Sequence, residues 1–253
     1  MKINKIVLFA GIPIFTNIVL IGLYFSGIKY AQQLVVPTID FLPEHVWREF
    51  GIVEQLQNIY LLVTIIIFAV AALIKPSMFE KIFFLSGFLM ILFIFLEEID
   101  YGIHFYEFVT GQPSGIEVRN WHNQETSGKQ NVRYFKQIVD VLMVIWFVLL
   151  PILSDKIRYL PLKKIIPSRW FVIVFIISIV FSRFAHFLEG MDWDVINGGT
   201  VTLKGNISEF RETTTYYFYL LYALQLFNTD FNSINNHRQN SACNRNSAML
   251  HSG

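Results

Sequence analysis

Long uninterrupted apolar runs constrain this chain more than any other feature. The clearest is "IVLFAGIPIFTNIVLIGLYFSG" at 6–27, which contains no charged residue. A bilayer core of about 30 Å is crossed by about 20 apolar residues in a helix. Composition points the same way, because only 15% of the residues are charged, against about 25% in soluble domains. The sequence therefore predicts an integral membrane protein.

Six segments are long or apolar enough to be considered as spans, so the expected fold is all-α: a polytopic transmembrane helix bundle of about six spans with ornamented extracytoplasmic loops. Residues 1–228 are expected to form a single transmembrane domain. The Asn- and Ser-rich residues 229–253 are expected to be a polar, disordered cytoplasmic tail. The first run follows basic residues, as in a signal peptide, but lacks a small-x-small cleavage site and is expected to be retained. The predicted spans are Ile6–Gly27, Val53–Ile74, Ile82–Tyr101, Ile138–Leu153, Trp170–Glu189 and Glu209–Phe227.

Lysine and arginine in the short loops predict the orientation. They lie before the first run, between the second and third, and between the fourth and fifth, which all fall on one side of a six-span protein. The positive-inside rule makes that side cytoplasmic and predicts a cell-membrane protein with both termini inside. A net charge of +1 without a basic stripe argues against nucleic acid as a partner. The single cysteine, Cys243, excludes an internal disulfide.

The stretch "FIFLEEIDYGIHFYEF" at 93–108 places ionisable residues at the end of an apolar run. Positions three, four and seven apart share one face of a helix. A continuous helix would therefore align Glu97, Asp100, His104 and Glu107 in one stripe, with Glu98 to the side.

Other predicted spans carry polar residues at the same, outer end. Ionisable groups inside a membrane cost about 2.5–3.5 kcal/mol each on insertion scales and normally face the bundle interior or water. The pattern thus predicts an outward-facing polar cavity within the membrane, with Arg183 paired to Glu97 or Glu98. The alternative is that these residues only contact lipid headgroups or interact favourably with the helix dipoles at helix ends. The remaining members are Glu54, Gln57, Asn58, Gln137, Asp140, His186, Glu189, Glu209 and Glu212.

Three outer segments read H-x-x-E: "HFYE", "HNQE" and "HFLE". Residues at this spacing on a helix can reach one ion, and histidine with carboxylate suits zinc, manganese or iron. The sequence thus leaves two interpretations open: a divalent metal held by His104, His186, Glu98 and Glu189, or histidines that only form hydrogen bonds in the polar layer.

The outer segment "NWHNQETSGKQN" is dense in amides and hydroxyls. Its Trp121, His122, Asn123 and Glu125 are either a binding surface for a sugar or headgroup, or an ordinary surface turn.

The pieces "GIVEQLQ", "LEEIDYGIHF" and "NWHNQETSGKQN" resemble a group of uncharacterised bacterial polytopic membrane proteins with an E-E-I-x-x-G motif at a helix end. The resemblance covers about residues 51–131. The group usually has glutamine where this chain has Ile103. No activity is assigned to the group, so the resemblance implies an integral membrane protein and no mechanism.

The leading functional hypothesis is a membrane-embedded enzyme that acts on a lipid-linked or amphiphilic substrate. In one version of this hypothesis, the enzyme depends on a metal ion. The alternatives are a proton-coupled transporter and a non-catalytic scaffold or binding subunit. The expected catalytic residues are Glu97, Glu98, Asp100, His104, Arg183 and His186. The expected substrate-binding residues are Glu54, Trp121, His122, Asn123, Glu125, Glu209 and Glu212.

Overall fold

The computed structural model describes residues 4–26, 28–35, 51–116, 137–138, 140–157, 160–190 and 207–229. Regular structure within these ranges is entirely helical, which confirms the predicted all-α class. A π-helical segment (Val7–Gly11) continues into α1, and another (Ile145–Leu149) continues into α6. The helices are α1 (Ile12–Tyr24), α2 (Lys29–Val35), α3 (Ile52–Ile74), α4 (Met78–Glu98), α5 (Ile103–Thr110), α6 (Leu150–Leu153), α7 (Leu160–Ile165), α8 (Trp170–Gly190) and α9 (Ile207–Phe227).

Among the described residues, three helices are long and apolar enough to cross a membrane. They are Val7–Tyr24, Ile52–Ile74 and Met78–Glu98, which correspond to the first three predicted spans. The apolar part of α8 is shorter and covers Trp170–Phe184.

The long helices pack in the order α4, α3, α9, α8, and α1 lies against α8 and α9. Because only a short link joins α3 to α4, these two helices are antiparallel neighbours. Their approach is close at Gly87, where an added Cβ would lie 2.7 Å from a ring carbon of Phe68. Any larger residue at this position would force the Phe68 ring to move.

The most enclosed long helix is α9, although it is less apolar than α3 or α4. It packs against α3 on one side and α8 on the other, so its hydrophobic side chains join two core clusters. Tyr216, Ala223 and Leu226 pack with α3 and α4, whereas Phe218 and Leu221 pack with Phe-rich parts of α8 and the second π-helical segment. A helix covered on several sides does not need a lipid-facing apolar surface, and its polar residues can bond its neighbours.

The bounds of α4 differ from the predicted span at both ends. The helix begins earlier, because Ser77 and Glu80 form a capping box. It ends at Glu98, because Asp100, Tyr101 and Gly102 have φ of 48°, 53° and 84°. This left-handed region is costly for a bulky residue such as Tyr101 and stops a right-handed helix. The continuous helix expected from Glu97 to Glu107 is therefore wrong: a turn separates α4 from α5.

We call the end of the bundle where α3 and α9 finish the basic end. Lys75 follows α3, and its Nζ donates to the carbonyl oxygens of Phe227 (2.9 Å) and Thr229 (3.0 Å). A lysine at this position satisfies carbonyls that a helix end leaves open and complements the helix dipole.

The link between α7 and α8 is fixed at the same end by side chains of α9. Gln225 accepts the Ser168 N–H with Oε1 (2.8 Å) and donates from Nε2 to the Ile166 carbonyl (3.0 Å). The carbonyl of Ile165, the last residue of α7, accepts a hydrogen bond from the Tyr222 hydroxyl. Main-chain groups of Ile165, Ile166 and Ser168 are thus all bonded to α9.

Candidate functional site

We call the opposite end, where α3 and α9 begin and α4 finishes, the acidic end. Three other helices reach α9 here through bonds between side chains. Such bonds between helices lock their relative positions and satisfy polar groups that would otherwise be buried alone. The bonds run from Asn17 Nδ2 to Thr214 Oγ1 (3.0 Å), from Gln57 Nε2 to Thr213 Oγ1 (3.1 Å), and from the Tyr216 hydroxyl to Glu98 Oε1 (2.5 Å).

The sequence pattern placed Gln57 and Glu98 in this polar layer but missed Asn17, Thr213 and Thr214. Asn17 is almost fully buried, as are Thr213 and Thr214. The signals were present: an amide in the middle of the first apolar run, and the run "TTT" one turn into α9.

The second part of the acidic end is the α4–α5 corner, which we define as Glu97, Glu98, Asp100, Tyr101, His104 and Glu107. Four of its ionisable side chains are buried, with exposed fractions of 5% for Glu97, 4% for Asp100, and 0% for His104 and Glu107. They are the four members of the predicted stripe. The left-handed turn therefore changes the path of the backbone and still leaves all four facing inward.

Glu97 and Glu107 have identified partners within the corner and its following loop. The Glu97 carboxylate accepts the hydroxyl of Tyr101, one turn later in sequence. Glu107 Oε1 accepts the backbone N–H of Ser114 at 2.8 Å, which folds the chain after α5 back onto that helix. The hydrogen bond to Glu97 raises the pKa of Tyr101 above its usual value, with further contributions from burial and from the Glu97 charge. Tyr101 therefore remains a protonated donor throughout the neutral range.

The ion pair expected between Arg183 and Glu97 or Glu98 is not formed, so that prediction is wrong. The Arg183 side chain is exposed on α8. Helix α9 lies between α8 and the Glu98 carboxylate, which bonds Tyr216 of α9. The glutamates bond tyrosines instead. The order of the helices around the bundle could not be read from the sequence.

The proposed metal ligands are not assembled within the described part of the chain. No group of three or more His, Cys, Asp or Glu side chains there is placed to hold a metal ion. His104 is wholly buried on α5, whereas His186 is exposed on α8. The Glu189 side chain lies outside the described residues, so the full predicted set stays a prediction.

The remaining predicted substrate-binding residues divide into two groups. Glu54 is half-buried in the first turn of α3, and Glu212 is half-buried in the second turn of α9, at the acidic end. The side chain of Glu209 and the four loop residues Trp121, His122, Asn123 and Glu125 lie outside the described residues.

No protein-family model matches this chain, and no curated protein or solved structure matches it either. The resemblance to the E-E-I-x-x-G group thus stays a prediction that rests on the motifs themselves.

Proposed function

We propose that this chain is a six-span membrane protein whose acidic end faces the outside of the cell and acts as an enzyme that uses general acid–base catalysis on a lipid-linked or amphiphilic substrate. The observation that carries the proposal is the burial of Glu97, Asp100, His104 and Glu107 at the end of an apolar helix. Ionisable groups at such positions are costly, and they commonly mark catalytic sites or transport pathways.

Glu98 is the proposed general base. Its side chain is half-buried, so a substrate can reach it, while the buried Tyr216 hydroxyl holds one of its oxygens. His104 and Glu97 complete the acid–base set in this proposal, and Asp100 shapes the turn between them. A positioned general base contributes about 10²–10⁴-fold to a rate.

Arg183 has a different proposed role from the internal ion pair expected from the sequence. The Arg183 guanidinium is exposed near the end of α8 that lies beside the start of α9. In this proposal it binds the phosphate or carboxylate of an amphiphile. His186 lies one turn further along α8 and is exposed as well.

The test uses the full chain in vesicles made from the total polar lipid of the host membrane, with lipid species followed by mass spectrometry. We expect the wild type to convert an amphiphilic species, and Glu98→Gln and His104→Gln to lose that conversion while remaining folded. Identical lipid profiles for wild type and variants would overturn the proposal. The metal-dependent form is tested separately by metal content in wild type and His104→Gln.

A non-catalytic scaffold is the second candidate, and the side-chain pairs on α9 favour it. Bonds such as Gln57 to Thr213 satisfy polar groups inside the bundle and could exist for assembly alone. A scaffold would tolerate Glu98→Gln without functional loss. The transporter hypothesis has less support, since the core beyond the polar layer is lined by Leu61, Phe68 and Phe84.

A further inference from the structure

Three lysines at the basic end are exposed and take part in no ion pair among the described residues. They are Lys81 in the first turn of α4, Lys156 after α6, and Lys163 in α7. Their exposure contrasts with Lys75, whose ammonium bonds the carbonyls at the end of α9.

The two acids next to these lysines in sequence, Glu80 and Asp155, are bonded to other groups. They are also outnumbered by the described cations of this end, which include Lys75, Lys81, Lys156, Lys163, Lys164 and Arg169. Glu80 is buried and accepts the Ser77 N–H at 3.2 Å as part of the α4 cap. Asp155 forms an ion pair with Arg169. The described part of this end therefore carries an excess of positive charge.

The position of Lys163 relative to the bundle is fixed. The Tyr222 hydroxyl bonds the carbonyl of Ile165, two residues after Lys163, and Gln225 bonds Ile166 and Ser168. Helix α7 is thereby tied to the last turns of α9. If the long helices cross a bilayer, α7 lies at the level of the headgroups on that side.

We propose that Lys81, Lys156 and Lys163 form a binding surface for the phosphate groups of anionic phospholipids. Exposed lysines at the ends of apolar helices match a ligand that presents an anionic head above an acyl chain. Each lysine near an anionic membrane surface changes affinity by about five-fold. The attraction is electrostatic and weakens as salt rises.

The inference rests on the membrane placement proposed above and is independent of chemistry at the acidic end. The experiment measures thermal unfolding of the purified full chain in a neutral detergent. Phosphatidylglycerol, phosphatidylcholine or inorganic phosphate is added at matched concentrations, at low salt and at 0.5 M salt (roughly a 4 Å screening length).

We expect phosphatidylglycerol to raise the melting temperature more than phosphatidylcholine does, and high salt to reduce the difference. The triple variant Lys81→Gln, Lys156→Gln, Lys163→Gln should lose most of that difference. The control Arg211→Gln removes an exposed cation at the acidic end that has no proposed role in binding, and it should keep the difference.

Equal effects of the two lipids on the wild type, or an unchanged lipid preference in the triple variant, would overturn the proposal. An equal effect of inorganic phosphate would also overturn it, because the site would then not be specific for lipid. Extraction of the protein from membranes by alkaline carbonate would instead contradict the membrane placement, so the two failures are distinguishable.

Discussion

At the basic end, the side chains of Lys75, which follows α3, and of Gln225 in α9 bond main-chain atoms. At the acidic end, the helices are joined by hydrogen bonds between side chains. Main-chain groups are present whatever the sequence, and a buried one must find a partner. The bonds to main-chain atoms at the basic end thus complete the fold. The helical fold does not require the ionisable side chains at the acidic end, and their burial lowers the stability of the folded state. The main-chain bonds at the basic end are therefore explained by the fold alone, whereas the proposed function offers a reason for the buried acids at the acidic end.

The largest effect on stability is expected from Gln225→Leu. The change removes the partner of the Ser168 N–H and of the Ile166 carbonyl. Two main-chain groups left without a bond should lower the free energy of unfolding by about 2–4 kcal/mol. Denaturation in detergent followed by tryptophan fluorescence measures it. The matched control is Asn228→Leu, an exposed amide that bonds only its own helix, and it should change stability by under about 0.5 kcal/mol.

Lys75→Met should have the next largest effect, about 1–2 kcal/mol, because the last carbonyls of α9 lose a charged donor. The same denaturation assay applies. Lys81→Met is the control, since Lys81 is exposed. Equal stability of the two variants would remove the structural role assigned to the basic end.

A smaller coupling is expected at the acidic end between Glu98 and Tyr216. A double-mutant cycle with Glu98→Gln and Tyr216→Phe should give a coupling of about 0.6 kcal/mol, and at most about 1.7 kcal/mol, as for other hydrogen bonds between membrane helices. A coupling free energy larger than the loss in free energy of unfolding caused by Gln225→Leu would contradict the view that the basic end contributes more to stability than the acidic end.

The smallest effect concerns Tyr101 and appears only at high pH. Its pKa is raised in the folded protein by the hydrogen bond to Glu97. The stability from this contact is therefore complete below the unfolded-state pKa of about 10 and is lost as pH rises through the higher folded value. The melting temperature of Tyr101→Phe, measured from pH 8 to 11.5, should fall less steeply above pH 10 than that of the wild type. Parallel curves would contradict the raised pKa.

The all-helical class and the polar ends of the helices could be predicted from the sequence, because both depend on local patterns of apolar and charged residues. The stripe from Glu97 to Glu107 was found on an assumed helix, and its four members are indeed buried. The turn between them was not predicted, since "DYG" contains one glycine and gives no strong signal for left-handed residues at Asp100 and Tyr101. The order of helices around the bundle also lies beyond a sequence pattern, so the partner of Arg183 was assigned wrongly.

In the proposed function, chemistry belongs to the acidic end, and the main-chain bonds of the basic end contribute stability. This claim is tested most directly by measuring lipid conversion and free energy of unfolding together in Glu98→Gln and Gln225→Leu. We predict that Glu98→Gln lowers conversion by about 100-fold or more and changes stability by under about 1 kcal/mol. Folded Gln225→Leu should convert lipid at the wild-type rate despite its lower stability. Wild-type conversion by Glu98→Gln, or a loss of conversion in folded Gln225→Leu as large as that in Glu98→Gln, would contradict the claim.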